Sequence, residues 1–576
     1  MRVLGIAVLG VAGAALLGGC VSSEVGSCAI ADPNLAAAVA GEARAEGVPP
    51  AAVVEVTAAD VTNLDGVQCL RRLQKLELGG APVADLSPLA RHPTLTNLVV
   101  ETTTTDASAL GSIRHLQYVS ITGPIIDPSP LGRLAELTGL EIHSERLVSL
   151  AGLGAAARLE SLNVSRSNLE SFRGIGGATA LKDLDASGTV VPSAEGLADL
   201  SSLTHLYLQG ARIASLAGLE RTPQLQTIYA ANSQIASLAG MGAQPSLSEL
   251  DLTNTPLASF DGLAAAPHLV DLMASRTLVT SLEGVAGLSS LVLLQLNDTP
   301  LSSLAGIAGA PHLHDLEVMG SQLTSLAGIG GAPELWLLSL FKTPLTSLAG
   351  VEALPALTQL GVRETLVDSL APLASLSKLA ALDVGRSRVV DLSPLASLPM
   401  LNRLTIDGDA VTDLAPLAKV ATLTYLDMQD SAVADLGSLA GLQLRTLLAA
   451  GAPIADLTPL GAMPTLVQLD VSRSRVASLA PLSGAHIVAL TVNSAALTSL
   501  DGLTALPNVR QLSLSQNGIT NVDPLTALPP SLLDLTGNPL SPAALTVIAG
   551  LCKAKWAISW DGGACGTPCL FYSCTL

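Results

Sequence analysis

Leu313-His-Asp-Leu-Glu-Val-Met-Gly-Ser-Gln-Leu-Thr-Ser-Leu-Ala-Gly-Ile-Gly-Gly-Ala-Pro-Glu334 is one copy of a 22-residue phrase that recurs almost without interruption from residue 51 to residue 551. With the opening leucine as position 1, copies begin at Ala51, Leu73, Leu95, Leu116, Leu137, Leu159 and so on to Val509 and Pro530, 23 units with single-residue slips. Positions 1, 4 and 6 are apolar while 3, 5 and 7 vary, which predicts a short strand with one face inward. Positions 11, 14 and 17, such as Leu323, Leu326 and Ile329, are apolar again and fill the layer from the other side. Ser-Leu-Ala-Gly-Leu at 215–219 and Asp-Leu-Ser-Pro-Leu at 85–89 put Gly or Pro at one fixed place, predicting turns and short 3₁₀ segments rather than long helices. A repeat of this period stacks into turns, each touching only its neighbours, so one elongated array is expected from all 576 residues.

The wording resembles the internalin-type leucine-rich repeats of bacteria, which run at the same period with Ile-Ser-Pro-Leu-like outer segments. Ala31-Asp-Pro-Asn-Leu35, opening an Ala-rich helix to about Glu46, and Val61-Thr-Asn-Leu-Asp-Gly66 resemble the start of such proteins. Asp32 is placed to cap that helix and Pro33 to occupy its first turn. The implied fold is an α/β solenoid: a leucine-rich repeat right-handed superhelix with a parallel concave β-sheet, a convex side of short 3₁₀ segments and loops, and caps at both ends. The expected organisation is a signal peptide at 1–19, a tether at 20–28, a helical cap at 29–50, repeats at 51–550 and a cysteine-rich cap at 551–576. Such repeats commonly place Asn at position 9, but only Asn517 and Asn538 do so here; the rest are mostly Thr or Ser, as in Thr255, Thr277, Thr299, Ser321, Thr343 and Thr365. A hydroxyl ladder between turns is expected there.

Arg2, an apolar stretch over residues 3–17 and small residues before Cys20 read as a secretory signal. Leu17-Gly-Gly-Cys20 resembles the lipobox of bacterial lipoproteins, which implies lipidation at Cys20, and Val21 in place of Asp favours the outer membrane of a Gram-negative envelope. Exported cysteines are expected to pair. Cys28 with Cys69 would staple the N-terminal cap, and Cys552, Cys565, Cys569 and Cys574 would form two bridges in any of three connectivities, a zinc site being the alternative.

Hydrophobic residues make up 49% of the chain but aromatics only 2%, and beyond the N-terminus Asp, Arg, Ser or Thr break every apolar run short of a membrane span. The net charge of −19 speaks against nucleic acid or anionic lipid as the main ligand and favours a basic or mixed-charge partner. The metalloprotease string HExxH is absent, Ser375-Leu-Ser-Lys378 sits in repeat punctuation, and no constellation supports catalysis or a cofactor.

The outward columns therefore hold the candidate site. Position 5 is rich in acids, and Glu249, Asp251 and Asp271, and likewise Asp315 with Glu317, are expected to crowd on adjacent strands. Such a strip either keeps a leucine-rich chain soluble or meets a basic partner; calcium is the less favoured ligand. Tyr207 and Tyr229 interrupt it beside His205, with Met319, Trp336 and Phe341 as a second cluster and Tyr425 as a further anchor. Arg363, with Lys342, Arg386 and Arg403, makes the central face less acidic. The expectation is a non-catalytic, lipid-anchored protein that binds another protein through its concave face. The alternative is a structural or adhesion scaffold without a single ligand.

Overall fold

A computed structural model of the chain describes residues 29–408, 410–529 and 531–566. It divides into two compact units, Met1–Asp185 and Ala186–Leu576. Cys20, Cys28, Cys569 and Cys574 lie outside the described residues.

The first unit opens with the helix Pro33–Glu46, whose start is set by Asp32. One carboxylate oxygen accepts from the Asn34 and Leu35 amides at 2.9 and 3.1 Å, and the other accepts from Thr62 N at 2.9 Å. Burial pushes the Asp32 carboxyl up, but the backbone N–H groups around it bring its pKa below the usual value. Leu35, Val39 and Ala43, spaced four apart, are the buried stripe of this helix. Five strands of five residues follow, Glu55–Ala59, Lys75–Gly79, Asn97–Glu101, Tyr118–Thr122 and Gly139–His143, then two of three, Ser161–Asn163 and Asp183–Asp185. Each pairs in parallel with the next. Cys69 is disulfide-bonded.

The second unit carries three-residue strands from His205–Tyr207 to Leu532–Asp534, again parallel and in register one repeat apart. It ends in the helix Pro542–Lys553, a strand Ala557–Trp560 parallel to the last repeat, and an antiparallel strand Gly563–Cys565. Cys552 pairs with Cys565, one of the pairings open to the last four cysteines. Trp556, 1% exposed, is the largest fully buried side chain at this end.

The interior is built as the repeat predicts. In the copy quoted first, Leu313, Leu316, Val318, Leu323, Leu326 and Ile329 are at most 1% exposed. Removing one such leucine to alanine costs about 2–5 kcal/mol, because the layer on either side cannot collapse into the gap. Opposite the sheet, 3₁₀ segments such as Ile307–Gly309 and Ser393–Ser397 carry the Gly and Pro punctuation.

At the strand exit one expectation, the hydroxyl ladder, fails, and one backbone feature has no counterpart in the sequence reading. The position 9 hydroxyls are buried but make no ladder: Thr255, Thr277, Thr299, Thr343 and Thr365 each donate to the carbonyl three residues earlier in their own repeat, at 2.6–2.9 Å. These hydroxyls stay within their own turn, whereas the longer Asn538 amide donates to both the Leu514 and Leu535 carbonyls at 2.9 Å and its oxygen accepts from Ile519 N at 3.1 Å. Position 8 is also left-handed in every repeat from Leu159 onward. It is Gly in some, such as Gly210 and Gly320, but Arg166, Arg276, Lys342, Glu364 and Arg386 adopt φ of 57–59° or 56° as well. Each such residue turns the chain out of the strand while its N–H still reaches the next repeat, as Lys342 N does to the Arg363 carbonyl at 2.9 Å. That bond offsets a left-handed cost of about 1 kcal/mol per residue.

Candidate protein-binding face

Because strands pair in register, each outward column runs straight across the sheet of the second unit. Position 5 reads Tyr207, Tyr229, Asp251, Met273, Gln295, Glu317, Ser339, Gly361, Asp383, Thr405 and Asp427. Position 3 begins at His205 and passes through Glu249, Asp271, Asp315, Ala381 and Arg403 to Tyr425.

Tyr207 and Tyr229 stack with ring centroids 5.6 Å apart and planes 26° from parallel. Burial, then a hydrogen bond to Glu249, pushes the Tyr229 phenol upward, so that ring stays neutral and hydroxylated at any ordinary pH. Asp271 lies beside Glu249 in register, and burial followed by the Glu249 charge raises its pKa. Asp315 sits between Leu293 and Leu337. That apolar bracket is why burial, with Glu317 adding to it, pushes its pKa up to about 6, and one of its oxygens has no hydrogen-bond partner. Two residues on, Glu317 accepts from Gln295 Nε2 at 3.3 Å and Asn297 Nδ2 at 2.9 Å.

Further along, the face opens into a hollow of ≈230 Å³ where three neighbouring side chains shrink to Ser339, Gly361 and Ala381. Phe341, Asp383, Arg403 and Thr405 rim it. The Phe341 ring lies across Gly361, where even a Cβ would collide with it. Arg403 lies 3.6 Å over the Tyr425 ring, a cation–π contact that holds the guanidinium against the sheet. Burial is the largest cause raising the pKa of Asp383, Tyr425 and Asp427 alike.

Beside the hollow, Arg363 reaches over one whole repeat to make a bidentate pair with Asp407. The residue spanned is Gly385, where a Cβ would stand 2.7 Å from the Arg363 Nη1. Arg386 adds a second contact to Asp407 at 3.5 Å, and Glu364 approaches both arginines at 3.8 Å. Arg473 and Asp430 repeat the device over Gly451, at 2.8 Å.

The structure thus groups His205, Tyr207, Tyr229, Glu249, Asp251 and Asp271 at one end of this face. It groups Phe341, Arg363 and, with Arg403, Tyr425 further on; Asp315, Glu317 and Met319 share one repeat between them. Trp336 and Phe341 do not form a cluster. They occupy positions 2 and 7 of one repeat, so five residues at about 3.3 Å each separate them along the strand direction. Trp336, 39% exposed, stands at the strand's entrance. Sequence reasoning missed the hollow and the two-repeat bridges. Their signal is present as Ser339, Gly361 and Ala381 in the outward columns and as Arg363, Gly385 and Asp407 at one position of three successive repeats.

On the first unit's face Tyr118 lies over Gly139, and Ser120 Oγ donates to Glu141 at 3.0 Å. Burial, reinforced by Glu141, pushes the Tyr118 phenol up to about 12. Among the described residues no group of three or more His, Cys, Asp or Glu is arranged to hold a metal ion, and no helix is long and apolar enough to cross a membrane.

No family model matches the chain, and no curated protein matches it. Solved structures do. A leucine-rich repeat protein of Leptospira interrogans is 17% identical, with 86% of this chain and 92% of that one covered at a TM-score of 0.44. An internalin of Listeria monocytogenes is 20% identical over 69% and 95%, at 0.37. A plant peptide hormone receptor, RGFR1, solved with RGF2, is 15% identical over 88% and 94%, at 0.45. By its own repeat geometry the chain has a leucine-rich repeat fold, and the solved structures similar to it include a bacterial leucine-rich repeat protein and an internalin.

Proposed function

We propose that this is a non-catalytic binding protein of the cell envelope, anchored by lipid on Cys20 and recognising another protein through the open face of its second unit. The observation that carries the reading is the hollow at Ser339, Gly361 and Ala381. Side chains that small cover no strand surface, and the ring and guanidinium around them are the residue types that anchor interfaces. The adjoining ion pairs use up most of the local positive charge internally, so the rim offers Arg403 and Asp383 together with Phe341. A partner fits if it inserts an apolar side chain flanked by charges of both signs. The stacked tyrosines and the Glu249–Asp271 acids supply a second contact for a basic segment of the same partner.

Affinity capture with crosslinking in the native envelope tests this, using the wild type beside Ala381→Trp, which fills the hollow, and Tyr207→Ala and Tyr229→Ala separately. The expected result is loss of one specific partner by Ala381→Trp with unchanged circular dichroism, and weaker recovery of it by the tyrosine variants. Recovery of every partner by all three variants would favour the scaffold reading. For the anchor, Cys20→Ser is expected to release the protein from the outer-membrane fraction, and continued membrane retention overturns lipidation as its basis.

A further inference from the structure

We propose that the turn side of the first unit holds an anion site built for a phosphate group. Its place is a hollow of ≈880 Å³ formed by three consecutive repeats, those opening at Leu73, Leu95 and Leu116. Arg91 follows the 3₁₀ segment Ser87–Leu89, Arg114 and His115 follow Leu110–Ser112, and Arg133 ends Leu131–Arg133. All four line the hollow. None of the three guanidiniums takes part in an ion pair among the described residues, in a chain whose acids outnumber its Lys and Arg by 48 to 29. Three like charges gathered on neighbouring turns repel one another, and an anion between them reverses the sign of that interaction. The planar fork of arginine matches the oxygen spacing of phosphate and lets several guanidiniums share one group.

The scaffold beneath is set rather than loose. Arg91 has φ 59°, the left-handed region, and outside the strand exits no other non-glycine residue of the described repeats adopts it. Ser112 holds it there: its Oγ accepts the Arg91 amide at 2.9 Å and donates to the Ala109 carbonyl at 2.6 Å. Gly111 lets the third turn approach, since a Cβ there would stand 2.8 Å from Pro130 Cβ. His92, 3% exposed, lines the same hollow with neither ring nitrogen in a well-formed hydrogen bond. His115 is drawn to one side by Glu136 at 3.3 Å, which leaves the arginines as the principal donors. A long polyanion would be repelled by the rest of the acidic surface, so the fit is to a compact group: a free phosphate or diphosphate, or the headgroup of a phospholipid.

The test uses the full chain bearing Cys20→Ser, so that no lipid anchor contributes. Inorganic pyrophosphate is titrated by calorimetry, and cosedimentation is measured with phosphatidylcholine vesicles that contain or lack phosphatidic acid. Arg91→Gln, Arg114→Gln and Arg133→Gln are each expected to weaken binding about tenfold, the value of one charge-assisted bond, and the triple variant to abolish it with an unchanged circular dichroism spectrum. Arg158→Gln, outside the hollow, should bind as the wild type does. Pyrophosphate binding that depends on the three arginines identifies a soluble phosphate as sufficient. Vesicle binding that needs phosphatidic acid and the same arginines, without pyrophosphate binding, identifies the headgroup. Binding to neither probe, binding that survives the triple substitution, or an equal loss in Arg158→Gln overturns the site.

Discussion

In the repeats that open at Leu95 and Leu137 a buried hydroxyl at position 8 bonds backward to the preceding repeat, Thr102 to the Val83 carbonyl at 2.6 Å and Ser144 to Ile125 at 2.8 Å. From Leu159 onward position 8 is left-handed, the strand shortens from five residues to three, and the buried hydroxyl moves to position 9, where it bonds only its own repeat. At position 9 itself, a side chain bonds the neighbouring repeat at the end of the array, where Asn517 and Asn538 replace the hydroxyls. The same residue types therefore stitch repeats together in one region and only tidy single turns in another. The later repeats couple through leucine layers and strand pairing, with side-chain bonds from other positions added, such as Asn297 to Glu317 and Arg363 to Asp407.

The largest effect is expected where that stitching is densest. Asn538→Ala leaves Ile519 N and the Leu514 and Leu535 carbonyls without their side-chain partner, each buried, and should cost about 3 kcal/mol at about 1 kcal/mol per bond. Thr343→Val removes one intra-repeat bond and should cost about 1 kcal/mol. Urea unfolding followed by tryptophan fluorescence, with hydrogen exchange at Leu514 and Ile519, separates them; equal losses would mean that asparagine couples the turns no better than threonine.

Asp315 sharpens the contrast with pH. Glu317 is satisfied by donors from the preceding repeat, whereas Asp315, bracketed by leucines, has an unpartnered oxygen. Its folded pKa of about 6 lies above the ordinary 3.8, so the protonated form is favoured by folding. The stability this contributes is fully present below the unfolded value and is lost as pH rises through about 6. Asp315→Asn should therefore be more stable than the wild type by about 1–2 kcal/mol at pH 8, after allowance for solvent at the half-buried site, and indistinguishable from it at pH 4. A difference that does not change with pH would place the burden elsewhere.

The left-handed column can be probed in both directions. At Gly210 an added Cβ meets nothing within 4 Å, so Gly210→Ala isolates the backbone term and should cost about 1 kcal/mol. Ser494→Gly, at φ 54°, relieves the same strain but adds chain entropy to the unfolded state, so a gain of about 0.5 kcal/mol is expected. Neutral results at both would show that the corner is held by strand pairing alone.

How far these features could be read beforehand follows from what each depends on. The leucine layers depend only on period, and positions 1, 4, 6, 11, 14 and 17 declare them. The column at position 8 depends on φ, which Gly210, Gly320 and Asn254 advertise and Arg276, Lys342 and Glu364 conceal. Register placed Tyr207 beside Tyr229 and Glu249 beside Asp271, because equal repeat lengths make neighbours of equal positions. It could not show that Arg363 would skip a repeat to reach Asp407, since that turns on reach across a missing Cβ at Gly385. Trp336 and Phe341 looked like neighbours in sequence, but they mark the two ends of one strand.

The smallest expected effect tests the hydroxyls themselves. Ser233, Ser321 and Ser431 share position 9 with the threonines, yet their buried Oγ atoms have no hydrogen-bond partner, although Ser167 at the same position donates to the Val164 carbonyl at 2.7 Å. A serine hydroxyl turns among three rotamers where threonine's methyl holds one orientation against the turn. Ser321→Ala then removes a desolvated hydroxyl and loses no bond, so it should be neutral or stabilise by up to about 0.5 kcal/mol, opposite in sign to Thr343→Val. Destabilisation of both by the same amount would show that Ser321 bonds the Val318 carbonyl in solution as Ser167 bonds Val164, and the later repeats would then share one uniform corner.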